Sequence, residues 1–219
     1  MESNRAVPCF RVLGASVPFG SACMRVGWTA VEDGFLIPKT RLFCDVLHLS
    51  GTVTENTAVF AAQAAELCSE VGAGSVFWSP EAAADQTAAE IVAFWQTRHK
   101  LCVYSPKAIP GAITVVPDLP GPLPPQAAAA VTSRAAITEI RNGKAEKRFA
   151  TSGEIGAMIE TYRPEIAFSA ELAANFFTLR PSDTTFFAVF DTEETLAARV
   201  SRAKKAGAVA VFCDICEKI

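Results

Sequence analysis

The chain has 219 residues, half of them apolar and a fifth charged, which excludes a disordered polymer and leaves enough length for a sizeable core. Twenty Lys and Arg stand against 23 Asp and Glu, with no basic stripe, so neither nucleic acid nor an anionic membrane surface is an expected partner. No apolar run reaches the ~20 residues that a membrane-spanning helix needs.

In chain order, short apolar runs alternate with amphipathic stretches, the pattern of an α/β fold. Residues 9–13 read as a first strand, followed by an irregular stretch with scattered Gly and Pro up to about residue 39. Residues 42–49 read as a second strand, continuous in apolarity as a strand buried on both faces is. Phe60, Ala64, Leu67 and Val71 recur at helical spacing over 54–71, and Gly72 supplies the stop. Residues 75–78 form a third strand. Ser79 is then expected to cap a helix with Pro80 at its first position and Ala84, Ala88, Ile91 and Trp95 inward. Residues 101–104 make a fourth strand.

From Pro106 to Pro125 there are seven prolines, with only 112–116 strand-like between them. Proline fixes φ, so this is a rigid, irregular connection, and the expectation is one domain over residues 1–219 with that connection inside it. Residues 135–140 read as a strand closed by an Asn142-Gly143 turn, and 152–161 as a helix. Residues 186–190 are a strand. Asp191 and Glu194 make a capping-box-like start to a helix with Leu196, Val200 and Ala203 on its buried stripe, Gly207 ends it, and 208–212 is the last strand. This last strand–helix–strand unit predicts a right-handed parallel crossover. Eight strands are counted in all, which predicts a shortened (β/α)8 barrel or, alternatively, an open parallel sheet.

The opening, Pro8-Cys9-Phe10 and then Leu42-Phe43-Cys44-Asp45-Val46-Leu47-His48-Leu49, and the closing unit from Phe187 through Asp191 to Phe212, resemble the chitinase-like (family eighteen glycoside hydrolase) barrel. The resemblance implies a disulfide between Cys9 and Cys44, and it places Phe212 where the family has a Trp beneath the sugar. Residues 136–140 are similar to the family's sixth strand. The family's hydrolases carry an Asp-x-x-Asp-x-Asp-x-Glu run at the end of the fourth strand, whose glutamate protonates the leaving oxygen while the aspartates position the acetamido group. No Asp-x-Asp-x-Glu occurs in this chain, and the stretch read as its fourth strand runs Leu101-Cys102-Val103-Tyr104 with no carboxylate. The resemblance therefore implies a shortened barrel that is no enzyme and acts by binding a glycan or a protein partner. Phe212 and Trp78, at strand ends, are the expected ligand-binding residues.

Other chemistry is sparse. Cys44 and His48, four apart, would share one face of a strand and form the one candidate nucleophile–base pair. Cys213-x-x-Cys216 has no second pair to complete a zinc site, and the scattered glycines form no nucleotide loop, so no cofactor and no metal are expected. The seven cysteines suit either long-range disulfides or buried thiols. The expected compartment is extracellular, as a mature chain without its leader, with a cytoplasmic location as the alternative. A structural subunit or interaction scaffold of a larger assembly is the alternative function.

Overall fold

The computed structural model describes residues 7–12, 21–27, 29–31, 34–36, 43–51, 56–80, 85–118 and 121–213. The first half holds strands β1 (Cys9–Val12), β2 (Ser21–Gly27), β3 (Thr29–Val31), β4 (Gly34–Leu36), β5 (Val46–Gly51) and β6 (Ser75–Pro80). Helix α1 (Thr57–Val71) joins β5 to β6, and α2 (Asp85–His99) leads to β7 (Cys102–Ser105). Then come β8 (Ile113–Pro117), β9 (Ala128–Val131), β10 (Ala135–Arg141), β11 (Lys144–Phe149) and α3 (Ser152–Tyr162). Strands β12 (Ala167–Ser169), β13 (Ala174–Leu179) and β14 (Thr184–Phe190), helix α4 (Glu193–Lys205) and β15 (Val211–Cys213) follow.

Eight parallel strands close into a barrel in the order β1, β2, β5, β6, β7, β8, β9, β15. The last strand pairs with the first, Phe10 opposite Phe212, which closes the ring and excludes the open-sheet alternative. Among the described residues only α1, α2 and α4 flank it, fewer than the outer ring of eight helices in a full (β/α)8 barrel. Its interior is packed with side chains. Phe212 sits among Phe10, Phe77 and Tyr104 with ring centroids 5.1, 5.0 and 4.9 Å away. Alternate residues of the same strands face outward, where Leu47, Leu49 and Trp78 meet Phe60, Leu67 and Trp95 of the helices.

Several elements differ from the sequence reading, each for a physical reason. The stretch with scattered Gly and Pro contains β2, a full barrel strand, so every later strand moves up one place. Residues 42–49 are thus the third barrel strand, 75–78 the fourth and 101–104 the fifth. Leu13 and Leu42 lie outside the described residues. Ser79 and Pro80 cap no helix: they extend β6, opposite Ser50 and Gly51, and α2 starts at Asp85. Strand β9 was hidden because Ala-Ala-Ala-Val has weak strand propensity. Ala128 and Ala130 are small because the barrel interior beside them is filled by aromatic rings.

Residues 135–140 and 186–190 belong to no barrel strand. They form β10 and β14 of a separate antiparallel sheet, ordered β11, β10, β14, β13, β12 and inserted between β9 and α4. Strand β14 therefore has antiparallel neighbours β10 and β13, and the parallel crossover expected from it to residue 212 is not made. The Asn142-Gly143 turn is found as predicted, both residues at positive φ in a two-residue hairpin loop. Ile137, Phe177 and Ala188 face Ile155 of α3 on one side of this sheet. By alternation Ala136, Thr138, Lys147, Phe149, Phe187 and Val189 face the other side, toward the barrel.

Candidate functional site

Sites on barrels of this kind form at the C-terminal ends of the strands. Here β8 ends in Pro117 and runs into Asp118, β9 runs into Thr132, and the inserted sheet stands over both. Between them lies a cleft of about 800 Å³. Its barrel wall is Pro117, Asp118, Ala130 and Thr132, and its sheet wall includes Thr138, Lys147, Phe149 and Phe187. Phe149 is 88% exposed, an apolar ring that none of the described residues covers. Phe187 packs on Phe176 at 5.6 Å between centroids. The cleft thus offers aromatic surface on one side and hydroxyls, from Thr132, Ser133, Thr138, Thr151 and Ser152, around it.

The floor is fixed by a buried charge cluster. Arg199 of α4 donates from Nε to Asp118 Oδ2 at 2.9 Å and from Nη1 to Asp191 Oδ2 at 2.6 Å. The same Nη1 donates to the Thr132 carbonyl at 2.9 Å, and Arg202 Nη2 donates to Asp118 Oδ2 at 3.0 Å. Asp191 also accepts from the Arg134 backbone N–H at 2.9 Å. One guanidinium so ties the ends of β8, β9 and β14 together. The predicted capping role of Asp191 is shifted by one residue: Thr192 is the cap, Thr195 completes the box, and Asp191 Oδ1 accepts from the Thr195 hydroxyl.

Further round the barrel mouth, Ser79 Oγ and His48 Nε2 lie 3.5 Å apart, and the His48 ring packs edge-on against Phe77 at 4.7 Å. Both belong to the barrel interior. Cys44, by contrast, precedes β5 and packs with the helix-side residues around Cys68. Strand alternation does not extend back to it, so Cys44 and His48 are not brought together as a catalytic pair. Burial and the neighbouring Cys44 push the Cys68 thiol up to about 12. Tyr104, buried beside Cys102, is likewise raised, first by desolvation.

The remaining expectations fare unevenly. Phe212 is at the centre of the barrel and fully buried. Trp78 is fully buried too, its indole on the helix side between Phe60 and Trp95 at 5.9 and 5.3 Å. Cys9 and Cys44 do not pair: the Sγ of Cys9 lies 3.4 Å from that of Cys213, across the β1–β15 seam, and no disulfide forms among the described residues. Cys216 lies outside them. No cluster of metal-ligating side chains occurs among the described residues, and none of their helices is long and apolar enough to cross a membrane. The cleft residues were missed because they come from an insertion whose strands had been counted into the barrel. The exposed Phe149 beside Lys147, on a strand that is otherwise charged but for Ala145, was the available signal.

No protein-family model and no curated protein matches the sequence. Solved structures do match the fold. The spore cortex-lytic enzyme SleL from Bacillus cereus superposes with a TM-score of 0.61 over 94% of this chain and 70% of its own, at 11% identity. SleL from Bacillus megaterium QM B1551 gives 0.54 over 77% of this chain and 55% of its own, at 10% identity. A chitinase from Chromobacterium violaceum gives 0.52 over 87% and 85%, at 9% identity.

These likenesses correct the expectation that the chain is no enzyme, since the barrels it matches are enzymes by name. That expectation searched the wrong strand. With β2 counted, the fourth barrel strand is β6, and the residue that follows its last member, Pro80, is Glu81. Glu81 lies outside the described residues.

Proposed function

We propose that this protein acts on a carbohydrate, held in the cleft between the aromatic face of the inserted sheet and the ends of β8 and β9, with Glu81 as proton donor. The observation that carries this reading is the cleft itself, at the end of the barrel where such folds keep their sites. A pyranose ring has an apolar face that stacks on aromatic surface such as Phe149 and Phe187, and an equatorial rim of hydroxyls suited to Thr and Ser partners. Glycoside cleavage needs a carboxyl group to protonate the leaving oxygen. In the resembled chitinases that group is a glutamate at the end of the fourth strand, and Glu81 holds the corresponding place in the chain. Two residues before it, Ser79 stands where the family's run has an aspartate. A hydroxyl can hydrogen-bond a substrate but carries no charge, so slower turnover than with the full acidic run is expected. The expected compartment is extracellular, where structural polysaccharides are met.

The test is turnover and binding measured on the same samples of the full chain and the Glu81→Gln variant, with N-acetylglucosamine oligomers and solubilised bacterial cell-wall glycan as probes. The expected result is release of new reducing ends by the wild type and a loss of about a hundredfold or more in the variant, with binding retained. Unchanged turnover in Glu81→Gln would remove Glu81 from the reaction. A failure of every saccharide to bind at millimolar concentration would remove the carbohydrate reading.

A further inference from the structure

We infer that the cleft selects a glycan bearing anionic groups, carboxylates in the first place, over a neutral one; this rests on the carbohydrate reading and narrows it. Among the described residues, the charged side chains that line the cleft are Asp118, Arg134, Lys147 and Arg199. Asp118 is fully engaged by Arg199 and Arg202, and Arg199 is shared between Asp118 and Asp191. Those four groups balance one another and leave nothing for a ligand.

The other two are cations that make no ion pair among the described residues, although Asp191 and Asp118 lie near enough to Arg134 to act on its charge. Lys147 makes no ion pair among the described residues, and it projects from β11 opposite Thr138 on the cleft face. The Arg134 guanidinium donates to the Leu172 carbonyl, a neutral acceptor, at 2.6 Å. The glutamates beside Lys147 are directed elsewhere. Glu139 and Glu146 oppose each other in the β10–β11 register, one step from Thr138 and Lys147, and alternation turns them to the far face. Glu154 of α3 is held by Arg148. Burial first, and then the like charge of Arg199, lower the pKa of Arg134, while Asp191 and Asp118 pull it the other way.

A neutral sugar would use the rings and hydroxyls and leave both cations solvated. A uronate or a lactyl-ether carboxylate would reach charge-assisted hydrogen bonds about twice as strong as neutral ones, in a partly closed cleft where salt screens them less than on open surface. Sulfate or phosphate esters present the same charge, and the experiment separates these sources.

The full chain is titrated calorimetrically, at low and at physiological salt, with three probes of matched length: chitotetraose, a hyaluronan tetrasaccharide carrying glucuronate, and a sulfated N-acetylglucosamine tetramer. The expected result is at least tenfold tighter binding of the glucuronate probe than of chitotetraose, a ratio that shrinks with salt and falls below twofold in Lys147→Glu. Lys147 is exposed on an edge strand, so this variant keeps the fold, and the ratio is internal to each variant. Tighter binding of the sulfated probe than of the glucuronate one supports anion selection and assigns it to esters. Equal affinity for neutral and acidic probes, or a preference that survives Lys147→Glu, overturns this inference and leaves the carbohydrate reading standing. Absence of binding by all three overturns both.

Discussion

Arg199 and Asp118 meet at 2.9 Å with only 3% of either side chain exposed, although 81 residues separate them in the chain. The contact pins α4 to the end of the sixth barrel strand. Because Asp191 shares the same guanidinium, it also fixes where the inserted sheet leaves the barrel. A buried carboxylate that loses its cation is costly, on the order of 3–5 kcal/mol when one partner of such a pair is removed. Arg199→Met should therefore lower unfolding stability by roughly 3 kcal/mol or more, read from the denaturant midpoint at unchanged slope. A loss under about 1 kcal/mol would mean that Arg202 alone satisfies Asp118.

Alkaline pH should weaken the fold through Cys68. Its pKa is raised from 9.0 to about 12 in the folded state, so the folded chain holds a proton that the unfolded chain releases. A raised pKa contributes stability that is whole below about pH 9 and is lost as pH climbs toward 12. The loss should be on the order of 1 kcal/mol per pH unit. Stability measured between pH 8.5 and 10 should fall in the wild type and fall less in Cys68→Ala. Tyr104, raised as well, adds to the slope only above its ordinary value near 10. Parallel slopes in the two proteins would clear Cys68.

Trp95 is buried between barrel and helices and donates from Nε1 to the Ala61 carbonyl at 2.8 Å, which joins α2 to α1. Trp95→Phe removes that bond and part of the ring that meets Trp78. A destabilisation of roughly 1–3 kcal/mol is expected, again by denaturant unfolding. A change under about half a kilocalorie would show that the bond merely replaces one to water.

How far the sequence could be read depended on what each residue type reports. Helix α1 was legible because its apolar spacing and stop are local: Phe60, Ala64, Leu67 and Val71 are all buried, and Gly72 adopts the left-handed conformation that a helix terminator favours. The Asn142-Gly143 hairpin was legible for the same reason. The shortened barrel was legible from alternation. Its strand count was not, since β2 lies among residues with no sustained pattern and β9 is mostly alanine, with Ala128 and Ala130 fitted to the rings across the barrel. Strands of the insertion have the same propensities as strands of the barrel, so Phe186 to Phe190 could not reveal that their partners are antiparallel. The cleft inherits that ambiguity, because Phe149, Lys147 and Asp118 come together only once the two sheets are told apart.

The seam where Cys9 faces Cys213 joins residues 204 apart, and every barrel made this way closes last where its sequence separation is greatest. Local pairs such as β5 with β6, bridged by α1, can form early, but β1 must wait for β15, with the whole inserted sheet traversed in between. Loop-closure entropy then falls on one late event, which predicts slow folding and a partly assembled arc of strands with two bare edges beforehand. During synthesis that arc stands open until residue 213 has emerged, so the risk of misassembly lasts until β15 is made.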